Sequence, residues 1–299
     1  MSVYNKGQMN EINKELEEYG GKTVTGIEFE DEHGYLPKAI AILKAVGNLR
    51  LVGETGTGKT TLTYAIAQKT GKVLYEVVLT RDISRWDLLA CDILKDGKTM
   101  TREGIILKWL KNPNGGILYL DGFNYGENGV VSLIESLADF RGNIYIPEMG
   151  ETLTRTKDHY IIISYNPTEK TGYSGTCIQN IATMRRFEGL IVEYLSITVE
   201  TKIVKKYSQN YDFARKFVEL ASKTRELYKK AKLRTPLTTG NIINYAKLWK
   251  EQKLSEEEII TIAESLYPEE ELSQFRKLYE DASELDLNKL KQESKKEES

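Results

Sequence analysis

Up to about residue 198, short apolar blocks bounded by Gly, Pro, Asn or Asp alternate with stretches whose apolar residues recur at helical spacing. NLRLV (48–52), VLYEVVL (73–79), GILYLD (116–121) and HYIIISYN (159–166) read as strands apolar on both faces, the pattern of a parallel sheet covered by helices. The NLRLV strand is expected to be central. Between the strands, KAIAILKAV (38–46) predicts a helix ending near Gly47, TTLTYAIAQK one stopping at Gly71, IILKWLKN one closed by Pro113, and VVSLIESLADF one ending before Arg141 and Gly142. RDISRWDLLACDIL (81–94) reads as a loop and then a helix with Ser84 as a possible N-cap, and DGKTMTREG (96–104) as a polar excursion. NIYIP and GETLTRTK, with a reversal near Glu148 to Gly150, predict a β-hairpin. At the N-terminus, MNEINKELEEYG is a short charged helix at best, and GKTVTGIEFEDEHGYLP (21–37) alternates like a small strand or hairpin.

From residue 199 the strand signal stops. ETKIVKKYS, FARKFVELASKTRELYKKA, NIINYAKLWKEQ and EEEIITIAESLY are helices separated by breaks at Pro236, Gly240 and Ser255. LDLNKLKQESKKEES reads as a charged, disordered tail. The expected organisation is an N-terminal extension (1–34), an α/β domain (35–198), a helical lid (199–282) and the tail (283–299).

Composition narrows the setting. A chain of 299 residues with 40% hydrophobic residues can bury one α/β core and a smaller second domain. Cys91 and Cys177 lack ligand spacing, the N-terminus is polar, and no run approaches the roughly 18 apolar residues of a membrane span, so a reduced, cytoplasmic chain is expected. The 42 basic and 44 acidic residues, net charge -2, make no bulk case for nucleic acid. The basic stretch Lys223, Arg225, Lys229, Lys230, Lys232 and Arg234 reads as a solvated helix face. His33 and His159 have no carboxylate or cysteine partners at ligand spacing, and Trp86, Trp109 and Trp249 read as packing aromatics.

The chemistry lies at residues 53–60, GETGTGKT, which follow an apolar strand and open a helix. In that context glycines let backbone N–H groups curl around phosphate oxygens, Lys59 reaches the β and γ phosphates, and Thr60 offers a hydroxyl to Mg²⁺. The expected nucleotide-binding residues are Gly53, Glu54, Thr55, Gly56, Thr57, Gly58, Lys59, Thr60 and Thr61. Asp121, ending a later strand, is the second expected metal ligand with Thr60. Asn166, at another strand end, can hold the γ-phosphate or the attacking water, although a turn-forming Asn before Pro167 explains it nearly as well. Arg185 and Arg186 can neutralise transition-state charge, in cis or from a neighbouring subunit, and surface solvation is their alternative.

The order of these elements resembles the AAA+ ATPases, and among them the dynein-related group containing the MoxR, CbbQ/NorQ and gas-vesicle GvpN proteins. The GxxGxGKT loop at Gly53 to Thr60, a DLLG-like segment at Asp87 to Ala90, the Walker B strand ending in Asp121, an IP..GE hairpin at Ile146, Pro147, Gly150 and Glu151, Asn166-Pro167 and Arg186-Phe187 carry the resemblance from about Tyr35 to residue 265. It implies an AAA+ P-loop core with a parallel sheet followed by a small all-helical lid. It also implies sensor 1 at Asn166, an arginine finger at Arg185 or Arg186, and Mg²⁺-ATP as the bound nucleotide; the doubled RRF keeps GTP open. The lid arginine of the STR motif, sensor 2, is replaced by Thr238, Thr239, Gly240, and Arg234 is an open substitute.

The sequence departs from the family after Asp121, where Gly122 replaces the glutamate that activates water. Loss of a well-placed general base commonly slows a reaction by a factor of about 10² to 10⁴. Three readings follow: a slow ATPase, one using a displaced acid such as Glu127, or a nucleotide-gated subunit that does not hydrolyse. The resemblance implies a homo-oligomeric, hexameric ring remodelling a protein client, often with a von Willebrand factor A domain partner. Arg141, Arg155 and Lys157 near the hairpin keep a DNA-linked NTPase as the alternative.

Overall fold

A computed structural model describes residues 20–95, 97–166 and 181–282 of the chain. The N-terminal charged segment up to Tyr19, Pro167, Cys177 and the 283–299 tail lie outside the described residues. Internal contacts divide the chain into two units, Met1–Glu54 with Gly58–Glu193, and Thr55–Thr57 with Tyr194–Ser299.

The first unit is built on five parallel strands: β1 (Asn48–Val52), β2 (Leu74–Val78), β5 (Gly116–Asp121), β8 (His159–Tyr165) and β9 (Glu188–Ile191), in the order β2-β5-β8-β1-β9. The apolar blocks on β5 and β8 are buried throughout because both faces are covered. Ile117 and Tyr119 point to one face, with Leu62 and Ile66 of α2 (Lys59–Thr70) and Ala39 and Leu43 of α1 (Tyr35–Val46). Leu118 and Leu120 point to the other, with Trp109 of α4 (Ile105–Lys111) and Ile134 and Leu137 of α5 (Asn128–Ala138). The period of two on the strands thus feeds two separate cores. α1 starts before its Pro37, where a missing N–H in the first turn does no harm, and Asp31 accepts from the Tyr35 and Leu36 amides at 2.6 and 3.0 Å.

β1 is interior, but β8 holds the middle position, because β9 adds an outer strand beside β1 that its short GLI run did not announce. The 81–94 segment is not a helix to its end. Ser84 and Asp87 form a capping box on the four-residue α3 (Arg85–Leu88), after which β3 (Ala90–Lys95) pairs antiparallel with β4 (Lys98–Glu103), the supposed polar excursion. Gly97 (φ 74°) reverses the chain between them, and β-branched Ile93, Thr99 and Thr101 favour the ladder over a helix. The 21–37 segment is likewise not a strand or hairpin: it makes one isolated bridge, Lys22 to Leu74, with N–H···O distances of 2.8 and 2.9 Å. The predicted hairpin is present as β6 (Asn143–Ile146) and β7 (Glu151–Thr154).

The second unit holds α6 (Ile197–Ser208), α7 (Tyr211–Lys229), α8 (Thr239–Glu251), α9 (Glu256–Glu264) and a further helix over 269–282. Ser196, Asn210, Thr238 and Ser255 cap the first four through their side chains. Phe213 stacks on Phe217 with ring centroids 4.3 Å apart at the centre of an apolar core. Arg225 is no part of a solvated face. It is buried, donates to both oxygens of buried Glu200 at 2.7 Å and to the Leu237 carbonyl at 2.9 Å, and lies over the Tyr194 ring. Burial of that charge requires these partners, a demand that basic spacing alone does not reveal. Among the described residues no helix is long and apolar enough to cross a membrane.

Candidate nucleotide site

Three neighbouring strands, β5, β8 and β1, deliver their carboxyl ends to one corner of the first unit. Beyond β1, Gly53 donates to the Tyr165 carbonyl at 3.3 Å, and Gly56 and Gly58 take φ of 81° and 92°, which only glycine adopts readily. α2 then starts at Lys59 with Gly58 as N-cap and no side chain on its first amides, so its positive end is left for an anion.

Lys59 is buried, 9% exposed. It donates to the Gly53 carbonyl at 2.7 Å, the Glu54 carbonyl at 2.9 Å and Asn166 Oδ1 at 3.1 Å, all neutral oxygens. Burial pushes it down to about 8, with the charges of Asp121 and Glu54 pulling the other way. Such a cation is short of negative charge, and an entering phosphate supplies it. Thr60 Oγ1 lies 3.4 Å from Asp121 Oδ2, so a hydroxyl and a carboxylate, both hard oxygen donors, stand side by side as Mg²⁺ requires. These residues fit a magnesium nucleotide.

Two side chains absent from the sequence reading complete the corner. Ser164 donates to Asp121 Oδ1 in a short hydrogen bond and accepts from the Gly122 amide at 3.4 Å. The Tyr119 hydroxyl donates to Ser164 Oγ at 3.2 Å and shares a hydrogen bond with Thr60 Oγ1, also at 3.2 Å. Burial raises Tyr119 further above its usual range, with Asp121 adding to the effect, so it stays a neutral donor. Their only trace in the sequence is a hydroxyl at an inward position of an otherwise apolar strand.

Lys59, Thr60, Asp121 and Asn166 are brought together; Arg185 and Arg186 are not. The Arg186 carbonyl accepts from Asn48 Nδ2 at 2.9 Å, at the first residue of β1, which is roughly 13 Å along the strand from its last at about 3.3 Å per residue. The Arg186 guanidinium donates to the Ala182 carbonyl at 2.8 Å and pairs with Asp139 at 3.6 Å, while Arg185 is exposed. Glu127 is exposed at the start of α5 and makes no hydrogen bond to any of the four corner residues. Gly122 has φ 69°, and a Cβ there would lie 3.1 Å from the Tyr125 ring. In the second unit, Thr239 donates to Glu200, and Arg234 is engaged by Glu270 at 2.9 Å and Glu271 at 3.6 Å.

The family described as AAA domain (dynein-related subfamily) matches residues 48–187. Protein NorQ of Paracoccus denitrificans is 30% identical over 206 residues, covering 64% of this chain and 72% of that protein. The denitrification regulatory protein NirQ of Pseudomonas aeruginosa is 29% identical over 178 residues, covering 59% of this chain and 66% of NirQ, just under two thirds of its length. Among solved structures, NtrX from Brucella abortus in complex with ADP superposes with a TM-score of 0.55 at 14% identity, over 83% of this chain and 54% of that one, a likeness of fold.

Proposed function

The chain belongs to the dynein-related, MoxR-type branch of the AAA+ ATPases, and from that premise we propose that it binds Mg²⁺-ATP at the Lys59 corner and hydrolyses it slowly within a homo-oligomeric, hexameric ring. The observation that carries the reading is the meeting of a buried ammonium, a hydroxyl–carboxylate pair and a neutral amide at adjacent strand ends. ATP-type chemistry follows from the family; the rate, the ring and the cytoplasmic setting are our reading.

Lys59 exchanges its backbone carbonyl partners for the β and γ phosphate oxygens, and the gain of negative charge raises its proton affinity. The α2 amides and the curled glycine loop bind the remaining oxygens. Thr60 and Asp121 would hold Mg²⁺, which would supply positive charge against the phosphates. Ser164 and Tyr119 keep the Asp121 and Thr60 oxygens turned inward. Asn166 accepts from Lys59 with its amide oxygen, and its amide group is of the neutral type that orients the γ-phosphate or water. With glycine at 122 the position after Asp121 offers no carboxylate to take the water's proton, and turnover is slow. Arg186, held by Asp139 far from its own loop, serves the nucleotide of a neighbouring subunit. The client is a protein, reached with or without a von Willebrand factor A domain partner.

The test is phosphate release from Mg²⁺-ATP and Mg²⁺-GTP over a range of protein concentrations, beside Lys59→Ala. A rate per subunit that climbs with concentration and is lost in Lys59→Ala supports the ring enzyme. One observation favours a second reading, a nucleotide-gated subunit without turnover: the left-handed backbone at Gly122 strains any glutamate placed there and sets its Cβ 3.1 Å from the Tyr125 ring. Tight binding with a rate equal to that of Lys59→Ala would select it.

A further inference from the structure

At the opposite end of the sheet from the glycine loop, the first residues of β1 and β8 open on a cavity of about 240 Å³. Its walls are the last turn of α1, the 140–142 turn after α5, and the segment 155–159 that leads into β8. Four lining side chains, Lys44, Arg141, Arg155 and Lys157, are cationic, and no lining residue is acidic. Only Arg141 has a carboxylate partner, Asp139 at 2.9 Å. Among the described residues, Lys44, Arg155 and Lys157 form no ion pair, and the nearby Asp158 is taken by Lys72 at 3.1 Å.

Arg155 is the organising group. Half-buried, it donates through Nη1 to Asn48 Oδ1 at 2.6 Å. Two left-handed glycines make its berth: a Cβ at Gly142 (φ 58°) would stand 2.7 Å from Arg155 Cγ, and one at Gly47 (φ 82°) would stand 3.8 Å from its terminal nitrogens. Burial without a counter-ion pushes the guanidinium down from its ordinary value. The carbonyl end of α1 contributes about half a negative charge, and Asp158, which feels both Lys72 and Lys157, part of another, so the half-buried Arg155 and its exposed lysine neighbours stay net positive. A single carboxylate would also leave cations uncompensated, whereas a phosphate group brings about −1.5 to −2 charges and oxygens matched to the planar fork of arginine.

We propose that this cavity is a second anion site, distinct from the glycine loop, that binds a phosphate-bearing ligand of about pyrophosphate size through Arg155, Lys157 and Lys44. It does not depend on the proposed ATPase activity. The ligand's phosphates come from a free polyphosphate compound or from a nucleic-acid backbone threading past exposed Phe140.

The experiment uses the full chain carrying Lys59→Ala, so that the glycine loop does not dominate binding, titrated calorimetrically with inorganic pyrophosphate at low salt without Mg²⁺. Pyrophosphate binding is expected, weakened about ten-fold by Lys157→Glu and at least as much by Arg155→Ala, and partly restored by Arg155→Lys, since one charge-assisted hydrogen bond is worth about that factor. Lys157 is exposed, so its variant decides the matter even if Arg155→Ala fails to fold. A short single-stranded oligonucleotide titrated in parallel separates the sources: tighter binding than pyrophosphate, lost in Lys157→Glu, assigns the backbone, and the reverse order assigns a small ligand. Absence of binding by both probes, binding indifferent to Lys157→Glu, or preference for a glutamate-rich peptide overturns the proposal.

Discussion

The two ends of the parallel sheet handle buried polarity in opposite ways. At the carboxyl end, Lys59 rests on neutral oxygens and its charge is left for a ligand. At the amino end, Asn48, 2% exposed, spends its whole amide on the protein, donating to the Ala138 and Arg186 carbonyls at 2.8 and 2.9 Å and accepting from Arg155. The buried lysine of one end is kept short of charge; the buried amide of the other is tied into a knot joining α5, the Arg186 segment and the hairpin exit, with the Arg155 cavity opening beside it. A chain that senses nucleotide needs both, a corner whose energy changes on binding and a fixed frame behind it.

The sharpest way to break the contrast is Lys59→Met. If Lys59 binds phosphate as proposed, its removal is expected to lower turnover by at least about 10²-fold, as loss of one preorganised donor does. The nucleotide-free fold should change in the other direction. Lys59 is held at about 8, below its ordinary 10.5, so the unfolded chain binds the proton more tightly between those values. Stability therefore rises as pH climbs from about 8 to 10.5, by up to about 3 kcal/mol at 1.36 kcal/mol per pH unit. Urea unfolding at pH 7.5 and 9.5 should show the rise in the natural chain and its loss in Lys59→Met. A flat profile in the natural chain would mean that the corner is not short of charge.

Asn48→Ala attacks the other end. Two buried carbonyls and the Arg155 guanidinium lose a partner at once, and with about 1 kcal/mol for each bond plus the penalty of stranded groups, destabilisation of about 3 kcal/mol is expected. Urea unfolding measures it, while nucleotide affinity at a temperature where the variant is folded should stay within about three-fold. Equal loss at both ends would abolish the distinction between frame and corner.

These two ends were unequally legible in the sequence. The glycine loop, the apolar blocks of β5 and β8 and the terminal Asp121 and Asn166 are local signals, each read within a few residues, and they meet as expected at adjacent strand ends. Asn48 gave no signal, since its partners are 90, 107 and 138 residues away. The same holds for buried Arg225, whose carboxylate comes from a different helix, and for β9, which is a strand because β1 offers an edge rather than because of its own pattern. The β3–β4 ladder was hidden for another reason: many of its residues are polar, and although Ala90 at its start joins a core, Leu94 at 77% and Met100 at 52% exposure lie open to solvent.

Ser164→Ala probes how the corner is held. Outer partners of a metal ligand commonly govern metal affinity by 10- to 100-fold. Without the Ser164 bond, Asp121 Oδ1 is free to turn, and the Mg²⁺ concentration for half-maximal nucleotide binding should rise by about ten-fold, whereas Ser164→Thr keeps the hydroxyl and should recover most of it. A requirement unchanged in Ser164→Ala would remove Ser164 from the site.

Gly122→Glu is the smallest expected effect and the most telling. If a missing carboxylate were the sole defect, restoring it would raise turnover by about 10² to 10⁴. The backbone argues otherwise. With φ 69°, an L-residue at 122 sits in the left-handed region, at a penalty of about 1–2 kcal/mol, and its Cβ meets the Tyr125 ring at 3.1 Å. The side chain of glutamate leaves from that Cβ, so its carboxylate inherits the wrong direction as well as the strain. The expected outcome is a variant destabilised by about 1–2 kcal/mol in urea with no gain in phosphate release. A large gain would show that the turn after Asp121 relaxes on nucleotide binding, and the corner would then be less rigid than the frame behind it by more than its charge.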